Sequence, residues 1–135
     1  MVAVTVAALA VALASAAPRA SSTYFAAKLT ATTEIPPQKW KNPSATGSFV
    51  GEVAGSTMRW TLKFTGLTGV ATAAIHLGAV GSSGRIVVPL CVRCFVPLTG
   101  TSTLSKPLLA DLKSGNLYVN VETRKNPTGE IRGQL

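Results

Sequence analysis

The stretch YVNVETRKNPTGEIRGQL, residues 118–135, contains two alternating runs separated by a proline-glycine turn. Apolar or small residues occupy most odd-numbered positions of both runs, 117–123 and 131–135, and side chains two apart share one face of a strand. The segment NPTG suits a type I turn with Pro127 in second place and Gly129 in the left-handed conformation. The resulting three-residue loop pairs odd positions with odd ones and predicts a hairpin.

The register of this hairpin follows from the loop length. A three-residue loop places Val121 opposite Leu135 and Thr123 opposite Gly133, so that Gly133 has a structural role between apolar neighbours. In this arrangement the odd-numbered face meets the core of the protein. The hairpin is therefore predicted to close a larger sheet.

The opposite face of the hairpin is predicted to be charged and exposed. Glu122 lies beside Arg124 and diagonal to Arg132 in the predicted register. Glu130 is predicted to be a charge at the hairpin edge near Asn126, the first residue of the turn. We expect these charged side chains to be solvated and replaceable at little cost in stability.

The rest of the chain repeats the pattern of short alternating runs and turns. In residues 59–64, for example, Trp60, Leu62 and Phe64 alternate with cationic and hydroxyl side chains. Residues 108–113 are the one segment with a helical pattern. A length of 135 residues with 13% charged residues suits one domain with a real core. The sequence predicts a single all-β domain, an antiparallel Greek-key-like β-sandwich or small barrel of about seven or eight strands.

The N-terminal segment is predicted to be a targeting signal. An apolar run ends in Ala14-Ser15-Ala16, the small-x-small pattern of a signal-peptide cleavage site. The run is shorter than the ~20 residues that a helix needs to cross a bilayer, although no Lys or Arg precedes it. We predict a removed signal peptide over residues 1–16, a short linker over 17–23, the folded domain over 24–135 and no permanent membrane span. An uncleaved anchor or a buried helix is the alternative for the first segment.

Two cysteines, Cys91 and Cys94, lie close together in the sequence PLCVRCFVPL. In an exported protein they meet an oxidising compartment, which favours a disulfide between them. A thioredoxin-like redox site is the alternative, but it requires the first cysteine at a helix N-terminus, whereas this segment has strand formers flanked by prolines. A structural zinc site requires four ligands, and this pair supplies two.

The chain carries a formal net charge of +8, which removal of residues 1–16 leaves unchanged. The basic residues are spread along the sequence, without the basic run or interleaved aromatic residues of a nucleic-acid groove. No nucleic-acid partner is therefore predicted. For an exported protein the charge favours an anionic polymer or surface, such as acidic polysaccharide, lipid headgroups or cell-wall polymer. A surface kept positive for solubility is the alternative.

Several segments resemble one known family in order and spacing. They are FAAKLTATTEIPP, TGSFVGEV, RWTLKFTGLTG, AAIHLGAVGSSGRIVVPL, SGNLYVNVET and NPTGEIRGQL. Over roughly residues 24–135 the chain resembles the chordin-domain (CHRD) family. The resemblance implies an immunoglobulin-like or superoxide-dismutase-like β-sandwich, found as an isolated exported domain in microbes and as repeated units in animal chordin. It does not imply a reaction.

The chain departs from this family at two positions where members often carry histidines. Here Ala74-Ile75-His76 replaces a His-x-His pattern, and Val121-Glu122-Thr123 replaces Val-His-Thr. Imidazoles two apart on a strand point the same way, and a third from a neighbouring strand completes a copper or zinc site. His76 with Glu122 is therefore the candidate metal pair in this chain, and a hydrogen-bonded or solvated histidine is the alternative.

Two functional hypotheses follow from these observations. The first is a non-enzymatic exported module, secreted, periplasmic or associated with the cell envelope, that binds an extracellular protein or an anionic polymer or surface and has no cofactor. The second is a copper- or zinc-binding redox protein that uses His76 and Glu122. The sequence shows no pairing of a nucleophile with a base and no paired catalytic carboxylates, so no enzyme activity is predicted.

Overall fold

A computed structural model describes residues 16–135. The predicted signal peptide, apart from Ala16, therefore lies outside the described residues. The described chain contains eight strands, one short 3-10 helix and one α-helix. Their bounds are β1 Ser22–Thr30, the 3-10 helix Ala31–Thr33, β2 Thr46–Ala54, β3 Thr57–Thr65, β4 Val70–Leu77, β5 Ile86–Val92, β6 Leu98–Thr103, α1 Lys106–Lys113, β7 Leu117–Thr123 and β8 Ile131–Gln134.

All eight strands belong to one antiparallel sheet with the order β5-β4-β7-β8-β1-β2-β3-β6. The all-β, antiparallel fold with about eight strands is thus confirmed, and it takes a nearly barrel-shaped form of the predicted sandwich. The strands at the two edges of the sheet, β5 and β6, are consecutive in the sequence and are joined by residues 93–97. Because this connection is short, the sheet has to curl until its edges lie near each other.

The interior of the curled sheet is filled by alternate residues of its strands, as the sequence pattern predicts. Phe49, Leu62, Val119 and Val121 are fully buried, and Trp60 stacks on Phe49 with a centroid distance of 6.3 Å. Burial of an aromatic or branched aliphatic side chain contributes about 1.5–3 kcal/mol each, so this cluster supplies the main stabilisation of the fold.

The strand pairings place four connections at the same end of the barrel, which we name the loop end. Thr30 pairs with Thr46, Thr46 with Thr65, and Val70 with Thr123, so the ends of these strands are level. Thr72 pairs with Val92, which brings the β5–β6 connection to the same end. The loop end therefore consists of residues 31–45, 66–69, 93–97 and 124–130.

Two predicted boundaries differ from the structure. Strand β1 begins at Ser22, so the last two residues of the predicted linker 17–23 belong to the sheet. The helix begins at Lys106 rather than at residue 108, because the Ser105 hydroxyl accepts a hydrogen bond from the Leu108 amide and Pro107 fits the first turn of a helix.

The predicted register of the closing hairpin is wrong. Val121 pairs with Ile131 rather than with Leu135, and Val119, rather than Thr123, pairs with Gly133. Odd positions still face odd ones, because the register differs by an even number of residues and keeps the apolar face inward. The loop is longer than three residues, because β7 ends at Thr123 and β8 begins at Ile131. Residues 124–130 therefore lie outside the paired strands.

Gly133 lies where β8 passes closest to β1. A Cβ atom at this position would lie 2.6 Å from the carbonyl oxygen of Lys28 and 3.0 Å from the Cβ of Ala27. Only glycine permits this separation between the two strands.

We predict that Gly133→Ala destabilises the fold by about 1–3 kcal/mol, because the added methyl group forces β8 away from β1. Thr103→Ala, on the exposed edge strand β6, serves as the control and should change the free energy of unfolding by less than about 0.5 kcal/mol. Urea unfolding followed by tryptophan fluorescence measures both. Equal stability of the two variants would contradict the close approach of β8 to β1.

Candidate functional site

Residues 34–42, which we name the strap, are tied to the β7–β8 hairpin by the side chain of Asn126. The Oδ1 atom of Asn126 accepts a hydrogen bond from the Trp40 amide at 2.9 Å, and its Nδ2 atom donates to the Trp40 carbonyl oxygen at 2.9 Å. Asn126 is 2% exposed, so these bonds are shielded from water. The paired bonds fix the backbone of the strap at Trp40.

In the turn that begins at Asn126, Pro127 and Gly129 occupy the positions that the sequence predicts. The Gly129 amide donates to the Asn126 carbonyl oxygen at 3.0 Å, which closes a four-residue turn with Pro127 in second place. Gly129 has a φ of +137°, a backbone conformation that glycine tolerates better than other residues. The amide of Asn126 also donates to the hydroxyl of Thr123 at 3.1 Å.

Glu130 provides the second connection between hairpin and strap. Its Oε1 atom accepts a hydrogen bond from Asn42 Nδ2 at 2.6 Å, its backbone oxygen accepts one from Gln38 Nε2 at 2.5 Å, and its Oε2 atom accepts one from the Thr123 hydroxyl. The prediction of an exposed edge charge at Glu130 is therefore wrong. The strap covers this carboxylate and supplies the donors that make its burial possible.

A cavity of about 830 Å³ opens between the strap and the tip of the hairpin. Trp40 lines it and is 60% exposed although its backbone is fixed. Most of its charged residues are basic; they are Lys39, Lys41, Arg124, Lys125 and the buried Glu130. We name this site the cationic cavity.

The electrostatic character of the whole loop end is uniform. Its exposed charged residues are all basic, namely Lys39, Lys41, Arg93, Arg124 and Lys125. The two carboxylates in its loops are buried: Glu130 beneath the strap and Glu34 at the start of the strap. In the sequence these basic residues are far apart, but the fold brings five of them to one end of the barrel. The resulting positive potential favours an anionic partner.

A layer of buried polar side chains lies on the outer face of β4, β7 and β8, next to the β4–β5 connection. Tyr118 stacks on His76 with a centroid distance of 5.0 Å, and the guanidinium carbon of Arg132 lies 3.5 Å from the centre of the Tyr118 ring. Arg132 also donates to the carbonyl oxygen of Ala79 at 3.2 Å and is 3% exposed. The prediction of a solvated Arg132 is wrong, because its side chain is buried against Tyr118 and the β4–β5 connection.

The structure brings His76 and Glu122 together from neighbouring strands. The distance from His76 Nε2 to Glu122 Oε1 is 3.8 Å. The Nδ1 atom of His76 lies 2.9 Å from the Gly84 carbonyl oxygen, which only accepts, so Nδ1 carries a proton. Glu122 accepts a hydrogen bond from the Thr72 hydroxyl at 2.5 Å instead of lying exposed beside Arg124.

This pair does not complete a metal site among the described residues. Within residues 16–135, no group of three or more His, Cys, Asp or Glu side chains converges in a way that could hold a metal ion. His76 and Glu122 are two potential ligands, whereas catalytic zinc takes three from the protein and structural zinc takes four. The residues that the structure describes therefore do not fit the copper or zinc centre of the alternative hypothesis.

Cys91 and Cys94 form the predicted disulfide, with a distance of 5.5 Å between their Cα atoms. The bond lies at the loop end, where β5 leads into residues 93–97. Because both sulfur atoms are in this bond, neither cysteine is a free thiol.

The carboxyl group of Glu34, at the start of the strap, is 3% exposed. Its pKa is raised to about 8, mainly by this burial; Arg132 acts to lower the pKa, and the nearby carboxylates of Glu122 and Glu130 act to raise it. Glu34 also lies next to Gly129, where a Cβ atom would be 2.6 Å from Asn120 Oδ1 and closer still to Glu34 Oε2. Glu34 is therefore part of the packing between strap and hairpin.

The sequence contains one local signal for the site. In residues 39–41, KWK, a tryptophan lies between two lysines in a turn-rich segment, a combination typical of an exposed contact surface. The burial of Glu34, Glu130 and Arg132 has no such local signal, because it depends on how the strap and the β4–β5 connection fold back over the sheet.

The fold and this surface define an all-β module with a cationic surface built from the loops at one end of its barrel. The family model of the CHRD domain matches residues 25–135, so this chain belongs to the CHRD domain family. Membership of this family supports a binding or structural module in general, and CHRD domains typically occur in extracellular or secreted proteins. No curated protein and no solved structure matches the chain.

The structure also bears on the predicted relation to membranes. Among residues 16–135, no helix is long and apolar enough to cross a bilayer. The α-helix of this part of the chain, α1, has eight residues.

The raised pKa of Glu34 makes stability dependent on pH. An ordinary glutamate pKa of 4.5 in the unfolded chain and about 8 in the folded one mean that the folded state holds this proton more tightly. The stabilisation that this bound proton gives the folded state is therefore fully present below the pKa of the unfolded chain and is lost as pH rises through the pKa of the folded chain. We predict that wild type loses at least about 1 kcal/mol relative to Glu34→Gln between pH 5 and pH 9.

Paired denaturant titrations of the two proteins at each pH measure this difference. The effects of the other titrating groups on stability cancel, because both proteins contain them. Glutamine keeps the shape of the protonated carboxyl group and stays neutral throughout. A difference that is constant from pH 5 to pH 9 would mean that Glu34 is already ionised and balanced by Arg132, and would contradict the prediction.

Proposed function

We propose that this chain is an exported, non-enzymatic binding module whose loop end binds an anionic polymer or surface outside the cell. The observation that carries the proposal is the set of five exposed basic residues at one end of the barrel, where the exposed charged residues include no acid. Clustered charge of one sign raises the local concentration of oppositely charged partners and speeds their association. The apolar run and Ala-Ser-Ala pattern of residues 1–16 support export.

The cationic cavity has the features of a contact surface rather than of a solvated patch. Its walls are held in place by Asn126 and Glu130, so Lys39 and Lys41 are presented on a fixed backbone. Trp40 offers a large apolar face between them and remains 60% exposed. A pre-organised site loses less conformational entropy on binding than flexible surface lysines do.

The chemistry of the loop end supports binding without catalysis. The carboxylate that lines the cationic cavity, Glu130, is occupied by hydrogen bonds from Asn42 and Thr123. His76, the one histidine of the chain, is 6% exposed and lies against Gly84 of the β4–β5 connection. Lysine and arginine side chains in their charged form attract anions but do not act as bases at neutral pH.

We predict that Lys39→Glu with Lys125→Glu lowers the affinity for dextran sulfate, a soluble polyanion, at least about tenfold at low salt, because each reversal replaces an attraction with a repulsion. Lys106→Glu with Lys113→Glu is the matched control. It makes the same change in net charge on α1, which lies after β6 at the end of the barrel opposite the loop end. Fluorescence of Trp40 and Trp60, or calorimetry, measures the binding.

Equal losses of affinity in the two double variants would show that only the net charge matters, and would contradict a site at the loop end. Failure of wild type to bind either a soluble polyanion or an anionic surface at low salt would contradict the proposed function itself. Far-ultraviolet circular dichroism confirms that each variant keeps the all-β fold before the affinities are compared.

A further inference from the structure

The loop end combines its basic residues with exposed apolar side chains. Phe95 is 82% exposed, Val92 75% and Val96 43%, and all three lie in or beside the β5–β6 connection. Together with Trp40, they are four of the eight large hydrophobic side chains that are exposed among the described residues. Exposed apolar side chains gathered in one place mark a contact surface, whereas scattered ones do not.

The connection that carries Phe95 is held to the barrel. The disulfide links Cys94 in this connection to Cys91 near the end of β5, and the Arg93 amide donates to the Ala71 carbonyl oxygen at 2.8 Å. Arg93 has a φ of +57°, which turns the chain sharply at this point. Phe95 therefore points outward from an anchored loop, and its exposure is not the result of a free chain end.

The β5–β6 connection that carries Phe95 and Val96 is continuous with the cationic cavity. Arg124 lines both the cationic cavity and a second groove of about 590 Å³, and this groove is also lined by Leu67, Phe95 and Val96. Arg93 lies in the same groove. Basic and apolar side chains thus alternate across one surface at the loop end.

We propose that the loop end docks on an anionic phospholipid surface. This inference rests on the proposed function and names the partner class. Lys and Arg side chains at the surface attract anionic headgroups, and exposed Trp and Phe side chains enter the boundary between headgroups and acyl chains. Trp40 fits the headgroup level because its ring combines an apolar body with an N–H donor, and Phe95 fits the deeper apolar region.

The apolar residues distinguish lipid from acidic polysaccharide, the other anionic partner considered for an exported protein. A polysaccharide offers hydroxyl and acidic groups, which Phe95, Val92 and Val96 have no polar atoms to bind. A bilayer offers both phosphate groups for the basic residues and an apolar interior for these three side chains. The combination on one surface therefore fits the lipid better than a sugar polymer.

The test is sedimentation of the purified chain with vesicles of phosphatidylcholine, with and without phosphatidylglycerol. We expect binding that requires phosphatidylglycerol, and at least about a fivefold loss of it in Phe95→Ser and a smaller loss in Val92→Ser. Val80→Ser is the matched control for Val92→Ser, because Val80 is 79% exposed in the β4–β5 connection at the other end of the barrel. All variants share the same N-terminal residues, so the apolar run 1–16 contributes equally to each.

Dextran sulfate binding, measured on the same proteins, separates the two proposals. Phe95→Ser should keep its affinity for dextran sulfate while it loses vesicle binding. If wild type binds dextran sulfate but not vesicles, or if Phe95→Ser and Val80→Ser bind vesicles equally, the lipid inference is wrong and the proposed function stands. If wild type binds neither, both are wrong.

Discussion

The paired hydrogen bonds between the Asn126 side chain and the backbone of Trp40 hold the loop end together. A carboxamide in this position satisfies both the N–H and the C=O of one residue, Trp40, groups that an isolated loop leaves to water. Loss of either partner leaves a buried polar group at a cost of about 1–3 kcal/mol. The same contact positions Trp40 and, through it, the two lysines beside it.

The strap creates an outer layer that an ordinary sheet face does not have. It covers Glu130, to which Asn42 and Gln38 donate hydrogen bonds, and its own residue Glu34 is buried near Arg132. The acidic groups of this end are thereby removed from the surface, while the lysines and arginines stay exposed. The positive character of the loop end is thus a consequence of which charges the strap buries.

Much of the fold could be predicted from the sequence because the strands alternate clearly and the turn residues are specific. The class, the approximate number of strands, the helix near residue 108 and the Asn126–Gly129 turn follow from local rules. The hairpin register could not be predicted in this way. Two registers that differ by an even number of residues bury the same face, and the choice between them depends on hydrogen bonds that Asn126 and Glu130 make to the strap.

The candidate site was harder to predict for a related reason. The net charge predicted the sign of the partner's charge, but basic residues from three separate loops meet only in the folded barrel. His76 and Glu122 were correctly singled out as neighbours across strands, yet their chemistry depends on the Gly84 carbonyl oxygen and the Thr72 hydroxyl. Such contacts between distant segments have no signature in a single sequence.

Amide hydrogen exchange in Asn126→Ala is the most direct test of the central claim, that Asn126 fixes the strap and so builds the loop end. We predict that the Trp40 amide exchanges at least about tenfold faster than in wild type, because its acceptor is lost. The exchange rate of the Val119 amide in β7 should stay unchanged. Asn116→Ala, at the other end of the barrel, should leave both rates unchanged. Unaltered exchange of Trp40 in Asn126→Ala would contradict the account.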